Sequence, residues 1–112
     1  MFDKKAITQA LGMVKFLTSI EGFERHSGKT RLNYGKGEQY GNTPVEFSII
    51  FSVDGKYFHF FTSDMRYTRG DCRACIRTCE HERDFTGGSN NFVYCIEDLR
   101  SFLERKLEKE IR

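Results

Sequence analysis

The sequence predicts an α+β fold: a small antiparallel sheet centred on a hairpin at 45–62, with the N- and C-terminal helices packed on it. Three observations lead there. Residues 45–62, VEFSIIFSVDGKYFHFFT, hold two runs rich in Val, Ile, Phe and Tyr on either side of Asp54-Gly55, the strongest short hairpin signal. Near the N-terminus, Ile7, Ala10, Leu11, Val14 and Leu17 recur at helical spacing. Near the C-terminus, Leu99, Phe102, Leu103, Leu107 and Ile111 do the same.

Taken in order, Asp3 is a candidate N-cap with Phe2 and Ile7 in hydrophobic-staple positions. The first helix is expected from Asp3 to Ile20, with Gly22 to end it. Residues 25–44 are rich in Gly, Asn, Ser and Thr and close on Pro44. They read as a loop, with a weaker hairpin between Thr30–Tyr34 and Glu38–Gly41.

In the main hairpin a type I′ turn at Asp54-Gly55 sets Phe51 opposite Phe58, Ile49 opposite Phe60 and Phe47 opposite Thr62. Side chains alternate along a strand, so these six share one face, almost wholly apolar. The other face carries Ser48, Ile50, Ser52, Tyr57, His59 and Phe61. It is more aromatic than solvent contact requires.

Beyond the hairpin, Cys72, Cys75, Ile76 and Cys79 fall at i, i+3, i+4 and i+7. That spacing predicts a short helix opening at Asp71, with the cysteines as small core hydrophobes. Phe92 to Cys95 reads as a short strand, and the last helix as beginning near Ile96, with Glu97 and Asp98 at the positive end of its dipole.

The 112 residues are one domain's worth, expected as a single domain over 1–112. A net charge of +2 is too mild to imply a polyanion or membrane partner. No apolar run approaches bilayer length, and no secretory leader is evident. The expected compartment is the cytoplasm, with the four cysteines reduced.

Candidate chemistry is sparse. Ser27-Gly28-Lys29-Thr30 resembles the end of a phosphate loop, but position 23, where the motif needs Gly, is Phe. Cys72, Cys75, Cys79 and Cys95 with His81 have the residue types of a zinc site. The apolar stripe accounts for three of those thiols without metal, so no cofactor is expected and zinc is the runner-up. No base is fixed beside a thiol, which leaves no catalytic residue to name. Arg66, Arg69, Arg73 and Arg77 are spaced by three, four and four, with Asp71 the sole carboxylate from 66 to 79. They are the candidates for anion or nucleic-acid contact.

In size and in lacking a catalytic motif, the chain is similar in type to the small cytosolic inhibitors encoded by phages and plasmids. The expected function is a non-enzymatic protein-binding role, an inhibitor of a larger host complex of the counter-defence kind. Its contact residues would be Ile50, Tyr57, His59 and Phe61, and its partner another protein or a second copy of itself. No small-molecule substrate or membrane is expected. The alternatives are a nucleic-acid-binding protein using Arg66 to Arg77, and a small zinc protein.

Overall fold

The computed structural model describes residues 4–32, 45–62, 74–85 and 88–111. Among these residues seven elements follow one another: α1 (Lys4–Thr18), β1 (Glu24–Leu32), β2 (Val45–Val53), β3 (Lys56–Thr62), β4 (Ala74–Cys79), β5 (Asn91–Val93) and α2 (Ile96–Leu107). The five strands form one antiparallel sheet in the order β1-β2-β3-β4-β5. Among the described residues each strand pairs only with its neighbours in sequence.

The central hairpin forms as its sequence dictates. Asp54 and Gly55 both take positive φ, 54° and 81°, as a type I′ turn requires. Phe51 then pairs with Phe58 and Ile49 with Phe60. These four side chains are buried, together with Val53. β4 and β5 add Ala74, Ile76 and Val93 to the same face.

Both helices cover this face. α1 buries Met13, Phe16 and Leu17, with Ile20 just past its end; α2 buries Leu99, Phe102 and Leu103. Leu11 and Val14, also on the stripe read in the sequence, pack against this core half-buried. Rings bind the layers: Phe23 stacks on Phe51 at 5.1 Å, Phe51 on Phe58 at 5.5 Å, and Phe102 meets Phe58 edge-on at 6.2 Å. Each of the buried rings Phe51, Phe58 and Phe102 contributes about 1.5–3 kcal/mol.

The hairpin turn is tied to the far end of α2. Lys56 Nζ donates to the Lys106 carbonyl at 2.7 Å, and Lys109 Nζ meets Asp54 Oδ2 at 2.6 Å. The Ile111 N–H donates to Glu104 Oε2, which folds the chain end back and buries Ile111 beyond the helix.

Two elements differ from the sequence expectation. Glu24–Leu32 is a strand, where a loop was expected from 25 onward. It pairs along β2 with a bulge at His26. The remainder of that loop, with the Glu38–Gly41 arm of the weaker hairpin, lies outside the described residues. So does the Asp3 cap. The second difference is Ala74–Cys79, a strand and not the expected helix. β3 needs a hydrogen-bonding partner on its second edge, and β4 supplies it from Tyr57–Cys79 to Thr62–Ala74.

Among the described residues β1 and β5 are the outer strands, and side chains take one backbone group on β1 and one just past β5. Arg25 donates to the Gly28 carbonyl on β1 at 3.1 Å. Beyond β5, Asp98 Oδ2 accepts the Tyr94 N–H at 3.0 Å.

Candidate functional site

The helix-free face of the sheet is ordered in rows. Tyr57, His59 and Phe61 of β3 lie opposite Ser52, Ile50 and Ser48 on one side and Cys79, Arg77 and Cys75 on the other. Phe92 continues the last row beyond Cys75. Pairing of His59 with Arg77 places an imidazole beside a guanidinium, both with little solvent contact.

A short strap, residues 80–85, turns back over these rows. Its anchor is Asp84, which is buried. The Asp84 carbonyl accepts from Arg77 Nη2 at 2.7 Å and from the Cys79 thiol at 3.3 Å. Its carboxylate accepts the Glu80 N–H at 2.9 Å and faces Arg77 Nη1 at 3.9 Å. Ser27 of β1 donates to the Glu82 carbonyl at 2.6 Å. The strap therefore reaches from β4 across β3 to β1. Phe85 closes it, meeting the His59 ring edge-on at 5.2 Å.

The polar groups beneath are held in uncharged or paired form. His59 Nε2 shares a hydrogen bond with Ser48 Oγ at 2.9 Å, while Nδ1 is buried without a partner. Burial, reinforced by the Arg77 charge and opposed by Asp84, lowers the His59 pKa to about 4. Burial also pushes the Cys79 thiol up, against the opposing pull of Arg77. A thiol kept protonated is a poor nucleophile. At the β1 bulge, His26 Nε2 hydrogen-bonds Ser52 Oγ at 2.7 Å and its ring lies 5.2 Å from that of Tyr57.

The face read as a contact surface is thus divided. Ile50 is fully buried and His59 is 6% exposed, so neither offers area to a partner. Tyr57 and Phe61 are half-buried. Outward-facing area comes instead from Phe92, 61% exposed, Tyr94 at 44% and Phe85 at 41%. Strand alternation carried a signal for two of them: with Val93 inward, Phe92 and Tyr94 turn outward. Nothing in the sequence pointed to Asp84 as the strap's anchor.

Of the arginines, Arg66, Arg69 and Arg73 lie outside the described residues. Arg77 is buried against Asp84 and does not stand on a solvated helical stripe. The cysteine stripe is likewise replaced. Cys72 is outside the described residues; Cys75 is buried, Cys79 half-buried and Cys95 exposed as the cap residue of α2. On a strand Cys75 and Cys79 stand about 13 Å apart, too far to share a tetrahedral ion whose bonds to sulfur are about 2.3 Å. His81 is turned to its own strap, accepting the Arg83 N–H on Nδ1. Among the described residues, no three of His, Cys, Asp and Glu are gathered as a metal ion would need.

Among the described residues no helix is long and apolar enough to cross a membrane. No protein-family model, curated protein or solved structure matches this chain.

Proposed function

We propose that this chain is a non-enzymatic protein-binding module that acts by occupying a surface of its partner, as an inhibitor of a larger complex does. The observation that carries this reading is the outward-facing aromatic group Phe85, Phe92 and Tyr94 on the helix-free side. Phe61 and Phe92 flank Cys75 in one row, and Phe85 sits over His59 in the next. Strand spacing puts Phe92 about 12 Å from the His59 position beneath Phe85, and Tyr94 about 7 Å further along. Exposed aromatic area gathered in this way marks contact surfaces, because rigid rings bring much area at small entropic cost. The polar layer beneath does what such a surface needs, fixing the strap that presents Phe85.

The test is a photo-crosslinking residue at position 92, with the same residue at the exposed Ser101 of α2 as control, in lysate of the source cells. A discrete protein adduct at 92, missing at 101 and abolished by Tyr94→Ser in a chain that keeps its melting temperature, supports the reading. No adduct at 92, or the same adducts at both positions, overturns it.

A further inference from the structure

Resting on the protein-binding reading, we infer that the partner presents a basic, Arg- or Lys-rich protein segment to the aromatic surface. The argument is one of charge. The chain as a whole carries +2. Residues 80–98, which supply Phe85, Phe92 and Tyr94, carry five carboxylates (Glu80, Glu82, Asp84, Glu97, Asp98) against Arg83 alone. Asp84 is matched inside the fold by Arg77. Glu97, at the start of α2, is paired with Arg100, which leaves Glu80 and Glu82 exposed on the strap beside the aromatics.

Carboxylates bordering exposed rings are complementary to guanidinium and ammonium groups, which can pair with the acid and lie over the ring face together. The molecule already uses this chemistry within itself. Arg100 lies 5.1 Å above the Phe16 ring, and Arg105 and Lys106 both lie over Phe102, at 5.9 and 5.7 Å. The same carboxylates repel phosphate, so a nucleic acid does not suit this face. A second copy of the chain would oppose like charge if it docked through the same patch.

The experiment uses the full chain, labelled with ¹⁵N, and two short synthetic peptides of equal length. One is rich in Arg and Lys; the other has each of those residues replaced by Glu. The basic peptide should shift amide signals in 80–85 and 91–98, bind about tenfold more weakly in high salt, and lose those shifts on Glu80→Lys with Glu82→Lys. Equal shifts from the acidic peptide, shifts spread over the whole surface, or none from the basic peptide at millimolar concentration would overturn the inference. The two readings fail separately. An adduct at position 92 that survives the charge reversal retains the protein-binding role and removes the basic partner. Loss of that adduct on charge reversal, with the melting temperature unchanged, supports both.

Discussion

Acidification gives the sharpest handle on the layer beneath the strap. His59 is buried and neutral, with its pKa at about 4 where an unperturbed imidazole has 6.5. The groups around it come from three elements: Arg77 and Cys79 on β4, Ser48 on β2, and Asp84 with Phe85 on the strap. A histidine whose folded pKa lies below its unfolded one binds its proton more tightly when unfolded. Stability is therefore complete above pH 6.5 and falls as the pH drops through the window from 6.5 to about 4. With those two values, His59 alone removes about 2–3 kcal/mol between pH 7.5 and 4.5. The assay is urea denaturation across that range for the native chain and for His59→Asn, which cannot titrate. The native chain should lose about 2–3 kcal/mol more than the variant over the same interval. Parallel curves would refute the reasoning, since they would mean His59 is hydrated and titrates alike in both states.

Two further outcomes follow from the same geometry. Arg77→Met strips the cation from the buried Asp84 carboxylate and leaves its carbonyl short of a donor; the expected loss is about 3–5 kcal/mol in denaturant unfolding, and Asp84→Leu added to it should restore part of that. Gly28→Ala is expected to cost more than about 1 kcal/mol, read from the same unfolding curves, because its φ of +113° is strained for alanine and the new methyl would run into the Ser48 carbonyl and lie 2.7 Å from Ile49 Cα.

The fold was legible wherever one face of an element is plainly buried. The Asp54-Gly55 turn carried the register of β2 and β3, and the apolar spacing of 96–107 carried α2. β1 was not legible because its sequence, ERHSGKTRL, has no apolar alternation. An outer strand needs little hydrophobic signal when its partner supplies the ladder, and Gly28 looks like loop chemistry until the close approach to β2 is seen. β4 failed differently. In ACIRTC the apolar residues satisfy a helical period and a strand period equally, because both faces of the strand are covered and small thiols suit either. The site was harder still. Tyr57, His59 and Phe61 were placed on the correct face, yet the burial of His59 depends on Asp84 and Phe85 arriving from a turn twenty-five residues on. Sequence periodicity does not encode such a contact.

The side chains that occupy the sheet's margins bear on how this molecule can be recognised. A bare strand edge is a generic adhesive: any extended peptide can hydrogen-bond to it regardless of its own side chains. Here β5 is three residues long, the N–H that follows it is already held by Asp98, and on the opposite margin Arg25 occupies the Gly28 carbonyl beside a bulge. At those two points an incoming strand would have to displace a bond before it could form its own. The binding role proposed above therefore rests on side-chain shape and charge and not on the main chain, which is the same in every protein.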